Sequence, residues 1–127
     1  MNLQQIFDKV SNHLLTQNRH ALLSPDQVFE PLNNNCAYRN KEGLSCAVGC
    51  LISNSAYRVD MEDIDFEINK LVKDSLKNIL GSGNEYDKKI NLLCDLQNVH
   101  DKHHVKNWSK ALQKCATKYK LIFANPA

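Results

Sequence analysis

The sequence predicts a mainly α-helical protein, a compact bundle of about four amphipathic helices with one short β-hairpin and a short buried helix. Three observations predict this fold. Apolar residues recur at the i, i+3, i+4, i+7 spacing of an amphipathic helix in several long segments. Residues that interrupt regular structure, such as proline and asparagine, gather between those segments. A turn-like "NKEG" separates two short runs, as in a hairpin.

The helical segments are predicted from their apolar stripes. The first stripe contains Leu3, Ile6 and Val10, and the second ends before Gly81, which suits the backbone beyond a helix end. Separate helices of this kind cannot bury their stripes alone, so they are expected to pack around one core in a single domain, 1–127. The predicted helices lie at about 2–17, 64–80, 85–102 and 105–119, and a long loop lies at 18–35.

The hairpin is predicted between Cys36 and Cys46. "CAYR" and "LSCA" form its two arms, Asn40 suits the start of the turn, and Gly43 can take a positive φ. The second arm continues into "CAVGCLI", which is too apolar for solvent and too short for an independent helix. We therefore expect a buried short helix that begins near Cys46, with Gly49 allowing another element to approach it closely.

Composition indicates a globular protein without a strong electrostatic preference. The apolar share is 43%, the charged share is 24%, and 16 basic against 14 acidic residues give a net charge of +2. Basic residues are more frequent in the C-terminal third, where lysines form a row at mostly helical spacing. We expect this row to be the solvated face of a helix, and we expect no nucleic-acid partner. The row consists of Lys102, Lys106, Lys110, Lys114, Lys118 and Lys120.

Localisation is predicted to be cytoplasmic. The first residues lack the basic start and unbroken apolar core of a signal peptide, and no run approaches the length of a membrane span, so no membrane partner is expected. Five cysteines, an odd number spread over several predicted elements, do not resemble a secreted disulfide framework. We therefore expect the cysteines to be reduced thiols.

One candidate active site combines Cys46, His100 and Asp101. A cysteine at the start of a helix is favoured as a thiolate, and a nucleophilic cysteine needs a histidine base with an orienting carboxylate. Asp101 can orient His100 only if the helix ends there, because adjacent helical side chains point about 100° apart. No oxyanion-hole motif accompanies the set. The competing interpretation is that Cys46 is a small buried side chain.

A zinc site is a second interpretation of the same residues. Its ligands would come from Cys36, Cys46, Cys50 and His100. Structural zinc sites usually combine two short-spaced ligand pairs, and this spacing matches neither a ribbon nor a finger. We therefore expect no cofactor, with a zinc-stabilised module kept as an alternative.

Tyr38 and Arg39 form a candidate binding pair. An aromatic ring and a guanidinium outside a helical stripe can make a recognition patch. The commoner outcome is an arginine that hydrogen-bonds across a hairpin.

The motifs "CAYR", "CAVGCLI", "ME" at Met61-Glu62 and "LQNVHD" together resemble a family of small bacterial and phage proteins. That family combines Cys-x-Tyr-Arg, a glycine, Cys-Ala-Val-Gly-x-Leu-Ile, Tyr, Met-Glu-Gly and Leu-Gln-x-x-His-Asp. The match runs from Cys36 to Asp101. Two departures are Asp63 in place of the glycine after Met-Glu, and Ser53-Asn54 in place of Pro-Asp. The resemblance implies that these segments meet in space, but it carries no established activity.

The function predicted from these features is that of a small accessory protein, phage- or host-defence-related, that acts by binding another protein. The prediction rests on balanced charge, on the lack of a complete catalytic or cofactor motif, and on the resemblance. Two alternatives stay open at this point. One is a Cys–His hydrolase or transferase with Cys46 as nucleophile and His100 as base, and the other is the zinc-stabilised module.

Overall fold

The computed structural model describes residues 1–24, 26–31 and 35–124, and it is mainly helical, as predicted. No helix among these residues is both long enough and apolar enough to cross a membrane. Five α-helices follow one another, and short 3-10 turns occur at Gly49–Leu51, Val59–Met61, Phe66–Ile68 and Val105–Asn107. The helices are α1 (Leu3–Gln17), α2 (Lys70–Ser75), α3 (Lys77–Leu80), α4 (Tyr86–Lys102) and α5 (Trp108–Lys118).

Helices α1, α4 and α5 pack on one another and form the main core. The N-terminus of α1 is closed by a capping box, in which the Asn2 side chain accepts from Gln5 N–H and the Gln5 side chain accepts from Asn2 N–H. Each of the three helices buries one apolar stripe. Because the bounds were predicted from these stripes, the observed bounds agree with the predicted ones. The buried side chains of this core include Ile6, Phe7, Val10, Leu14, Leu92, Leu93, Leu96, Trp108 and Leu112.

The predicted long helix at 64–80 is broken, and this prediction was wrong in its start and its continuity. Asn69 is buried, and its amide nitrogen donates to the Met61 and Ile64 carbonyls at 2.8 and 3.1 Å. Its amide oxygen accepts from Val72 N–H at 3.1 Å and caps α2. One asparagine therefore holds the preceding segment as a loop and starts the helix at Lys70.

The predicted hairpin is absent as a pair of strands. Within residues 35–124, only the single bridge between Arg39 and Ser45 forms around the turn, with Gly43 at φ 82°. The ladder does not extend because Tyr38 N–H donates to the Glu62 carboxylate at 2.9 Å and not to the Cys46 carbonyl. The backbone groups of Ser45 point away from Arg39 and are bound by α1: the Ser45 carbonyl accepts from His13 at 3.0 Å and from Gln17 at 2.9 Å. The Gln17 side chain also accepts from Ser45 N–H at 3.0 Å. The Glu62 side chain thus takes the donor that the next strand pair would need.

The short buried helix after Cys46 is present as one turn, Gly49–Leu51, and residues 46–49 are all buried. Gly49 lies against the backbone of Tyr38. A Cβ added at Gly49 would lie 1.9 Å from the Tyr38 carbonyl oxygen, a separation that no real contact allows. The close approach expected at Gly49 is thus confirmed, and its partner is the Cys36–Cys46 segment.

The loop after α1 is held against α4 and α5 by an aromatic cluster around His20. The His20 ring stacks on Phe29 at 3.6 Å between centroids and meets His100 and Trp108 edge-on at 5.3 and 5.0 Å. His20 Nε2 lies 2.7 Å from the His103 carbonyl oxygen and donates to it. Burial lowers the pKa of His20 to about 4 and lowers the pKa of His13 as well.

The His20 environment predicts loss of stability in mild acid. The unfolded imidazole titrates near pH 6.5, so between that pH and about 4 the unfolded chain binds more protons than the folded chain. The free energy of unfolding is therefore expected to fall as the pH is lowered through this range. Urea unfolding at pH 7, 5.5 and 4.5 measures it. His20→Gln should flatten the dependence, whereas exposed His103→Gln should leave it unchanged, and equal slopes would contradict the assignment.

Candidate functional site

Cys36, His100 and Asp101 come together at the end of α4. A sulfur, a ring nitrogen and a carboxylate oxygen, one from each residue, lie within 4.8 Å of one another. Cys36 reaches this place because its segment forms an antiparallel bridge with Leu22, and Ala37 N–H donates to the Ala21 carbonyl at 2.7 Å. Among the residues that the structure describes, this is the cluster of thiol, imidazole and carboxylate groups, and Cys46 lies outside it.

His100 is fully buried, and both of its ring nitrogens are engaged. The Ala21 backbone N–H donates to Nε2 at 2.9 Å, so we infer that Nε2 carries no proton. The single proton of the neutral ring then lies on Nδ1, which donates to Asp101 Oδ1 at 2.7 Å. Asp101 orients His100 as the candidate active site requires, and α4 ends one residue later, at Lys102.

The same contacts leave His100 without a nitrogen for catalysis. A general base must accept a proton on a free ring nitrogen, and here Nε2 already accepts from Ala21. A metal at Nε2 would displace the Ala21 N–H, and a metal at Nδ1 would expel the proton shared with Asp101. The residues of the cluster do not offer a zinc ion its ligands without breaking buried hydrogen bonds, and we propose no metal site.

The environment of Cys46 favours the protonated thiol over the thiolate. It is fully buried, its sulfur accepts from Gly49 N–H at 3.3 Å, and burial raises its pKa well above the ordinary value. Cys50 donates to the Ala47 carbonyl at 3.1 Å, and burial raises its pKa to about 12. Burial and the nearby charge of Asp101 raise the pKa of Cys36 too. Thiolates at neutral pH are therefore disfavoured at all three positions.

Gln97 extends the cluster into a buried hydrogen-bond network. Its amide oxygen accepts from Val48 N–H at 3.0 Å, and its amide nitrogen lies 3.1 and 3.2 Å from the two Asp101 oxygens. Positions 97, 100 and 101 share one face of α4, following the i, i+3, i+4 rule. Through these three side chains, α4 satisfies the backbone N–H groups of Val48 and Ala21, one in each of two loops. Sequence reasoning missed Gln97 as a site residue.

Tyr38 and Arg39 are held by Glu62, which sequence reasoning also missed as a site residue. Its two carboxylate oxygens accept from the backbone N–H groups of Tyr38 and Arg39 at 2.9 and 3.1 Å. Tyr57 donates its hydroxyl to the same carboxylate at 2.6 Å. The only sequence signal for this role was the "ME" at Met61-Glu62 in the predicted resemblance.

The side chains of Tyr38 and Arg39, the predicted binding pair, also form contacts within the protein. The Tyr38 hydroxyl donates to the Ile64 carbonyl at 2.6 Å. The Arg39 guanidinium donates to the Ile52 carbonyl and to the Asn54 side chain, and it lies over the Tyr57 ring at 5.4 Å. Tyr38 is 6% exposed, so little of its ring is left for a partner.

Replacing Glu62 is expected to destabilise this region. In Glu62→Gln, the amide nitrogen faces N–H and O–H donors, so at least one buried donor loses its acceptor, at a cost of about 2 kcal/mol in the free energy of unfolding. Chemical denaturation measures the loss. The matched control is Glu85→Gln on an exposed residue, where a change within about 0.5 kcal/mol is expected. Equal losses in both variants would contradict the role given to Glu62.

A cleft of about 160 Å³ opens beside the cluster, and we call it the acidic cleft. Its lining includes Cys36, Asp101 and residues 63–67. Four carboxylate residues line the cleft against a single lysine, Lys102. Ile64 is 40% exposed, and Ile68, in the same 3-10 turn as Phe66 and Glu67, is 76% exposed. The acidic lining consists of Asp63, Asp65, Glu67 and Asp101.

No protein-family model matches the chain, and no curated protein or solved structure is significantly similar to it. The resemblance to the small bacterial and phage proteins therefore stays a prediction. The site is interpreted from its own contacts alone.

Proposed function

We propose that this protein acts by binding another protein, and that the acidic cleft with its apolar rim is the contact surface. The observation that carries the proposal is the exposure of Ile64, which lines the open cleft, and of Ile68, which follows the lining residue Glu67 in the chain. Exposed branched aliphatic side chains that flank a concave, charged surface are typical of an interaction site. Leu71, on the first turn of α2, is 37% exposed and belongs to the same stretch of chain.

The charge of the cleft indicates the chemistry of the partner. Four carboxylates face one ammonium in the lining, although the whole chain has a net charge of +2. A segment with lysine or arginine side chains beside apolar residues complements this surface, because its cations meet the carboxylates and its apolar side chains cover Ile64 and Ile68. The partner is therefore a basic, amphipathic protein segment.

The buried network favours binding over catalysis. Both His100 nitrogens are engaged, and burial raises the pKa of Cys36 and Cys46, so the predicted nucleophile and base, Cys46 and His100, are not arranged for proton transfer. The network does bind the backbone of Val48 and of Ala21 to α4, and fixed contacts of this kind help to present a surface in one conformation. The resemblance to bacterial and phage proteins supports an accessory role of the phage- or defence-related type.

Site-specific photo-crosslinking in native host cells tests the proposal. A benzophenone amino acid is placed at Ile68 or at Ile122, two isoleucines with the same 76% exposure, of which only Ile68 is next in the chain to a lining residue of the cleft, Glu67. A discrete crosslinked product is expected from position 68 and not from position 122. A charge reversal in the lining, Glu67→Lys, should abolish it. The proposal fails if both positions give the same products, if neither gives any, or if Glu67→Lys changes nothing.

A further inference from the structure

A second surface groove runs between α4 and α5, on the side of Asp95 and Lys114, with a volume of about 480 Å³. Sequence alone predicts a solvated row of lysines here, and the structure adds a concave groove beside that row. We call it the lysine groove. Its lining includes Asn98, His103, Asn107, Lys110, Lys114 and Lys118.

The groove lies in a strongly basic part of the chain. Residues 102–124 contain six of the 16 basic side chains and no acidic one, so residues 1–101 hold ten basic and all 14 acidic side chains. The modest net charge of +2 therefore conceals a segregation of charge. A local field of this kind attracts polyanions even when the whole protein is nearly neutral.

The free cations lie at one end of the groove. At the other end, Lys118 pairs with Asp95 at 2.8 Å, and Tyr119 donates to the same carboxylate at 2.6 Å. Lys110 and Lys114 form no ion pair with any residue that the structure describes, and both are exposed. They are four residues apart on α5, which places them about 6 Å apart along the helix axis.

The groove offers ammonium groups and side-chain amides to an anion. The three arginines are Arg19, Arg39 and Arg58, so the groove is supplied by lysine alone. Lysine binds phosphate as a point charge, without the bidentate geometry that arginine offers to phosphate and carboxylate alike. The side-chain amides of Asn98 and Asn107 add hydrogen-bond donors for phosphate or sugar oxygens.

We propose that the lysine groove binds the phosphodiester backbone of single-stranded nucleic acid. A concave channel follows a flexible single strand, whereas a duplex is read by elements that protrude into its grooves. Among the described residues that line the groove there is no tyrosine, phenylalanine or tryptophan on which bases could stack, and Trp108 is buried. Binding is therefore independent of sequence, with a Kd between about 1 and 100 µM. This site is separate from the acidic cleft and goes beyond the proposed function.

Fluorescence anisotropy with a labelled twenty-nucleotide oligothymidine tests the proposal, with titrations between 50 and 200 mM salt. The wild-type chain should bind, and the plot of log affinity against log salt should slope downwards by about 0.7 for each phosphate contacted. Lys110→Gln combined with Lys114→Gln should weaken binding and reduce the slope by about 1.4. The matched control, Lys41→Gln with Lys88→Gln, removes two exposed lysines outside the groove and should change neither quantity.

Three results would overturn the proposal. The first is no binding by the wild-type chain at 50 mM salt. The second is an unchanged affinity and slope in the variant with Lys110 and Lys114 replaced, whose fold is checked by its melting temperature. The third is equal or tighter binding of a polyglutamate peptide or of a duplex of the same length, which would assign the groove to an acidic protein segment or to double-stranded DNA.

Discussion

Gly49→Ala is expected to lower the free energy of unfolding by at least about 3 kcal/mol, which corresponds to a fall in Tm of roughly 10 °C. The added Cβ would lie 1.9 Å from the Tyr38 carbonyl oxygen and 2.7 Å from its carbon. Both are backbone atoms, so no flexible side chain can yield. Relief requires the turn at Gly49–Leu51 and the segment at 36–46 to move apart, which breaks the Cys46 N–H bond to the Tyr38 carbonyl.

Gly83→Ala is the matched control for that substitution. A Cβ at Gly83 meets nothing within 4 Å, and Gly83 is not among the positive-φ residues. The change therefore adds no clash, and the reduced freedom of the unfolded chain should leave stability equal or slightly higher, by up to about 1 kcal/mol. Thermal and urea unfolding measure both variants. A Gly49→Ala protein that melts within 2 °C or so of the wild type would refute the close approach.

His100→Ala is the second substitution with a large expected effect, about 3 to 4 kcal/mol of lost stability. It removes the acceptor of the buried Ala21 N–H, takes from Asp101 its Nδ1–H donor, and leaves a cavity beside Trp108. His100→Gln should lose less, because an amide oxygen can accept the Ala21 N–H. Urea unfolding separates the three proteins.

His103→Ala is the control, since the His103 side chain is exposed and only its backbone carbonyl accepts, from His20 and from Trp108. A change within about 0.5 kcal/mol is expected there. If His100→Ala were as mild as His103→Ala, His100 would not be a structural acceptor. The alternative roles of His100, as a general base or a metal ligand, would then be open again.

The spacing of apolar residues predicted helices α1, α4 and α5 well because each of them buries one continuous apolar stripe. The stripes of α1, α4 and α5 face one core, and the observed bounds, Leu3–Gln17, Tyr86–Lys102 and Trp108–Lys118, follow them. The prediction of one helix at 64–80 was wrong because of contacts that the spacing of apolar residues does not reveal. Asn69 donates to carbonyls of the preceding loop, and those contacts depend on where that loop passes.

The site was predicted in part. The end of "LQNVHD" does meet the segment that begins at Cys36, and Asp101 does orient His100. Spacing could not say which thiol lies there, because the place of Cys36 is set by its pairing with Leu22 across a long loop. Spacing also could not show that Ala21 N–H occupies the nitrogen that catalysis would need. Long-range backbone contacts decide both points.

Asp63, which differs from the glycine of the pattern in the predicted resemblance, adopts φ 64°, in the left-handed region that glycine takes at least cost. Aspartate tolerates this conformation better than most residues. Its side chain adds a carboxylate to the lining of the acidic cleft.

The most direct test of the central claim, that His100 holds the fold and does not react, is the tautomer of its ring. Nitrogen-detected NMR of uniformly labelled protein at pH 7.5 reports which ring nitrogen carries the proton, and His100→Gln assigns the signal. The hydrogen bonds from Ala21 and to Asp101 predict protonated Nδ1 and unprotonated Nε2, unchanged by added zinc. A proton on Nε2, or a zinc-dependent shift of either nitrogen, would contradict the account.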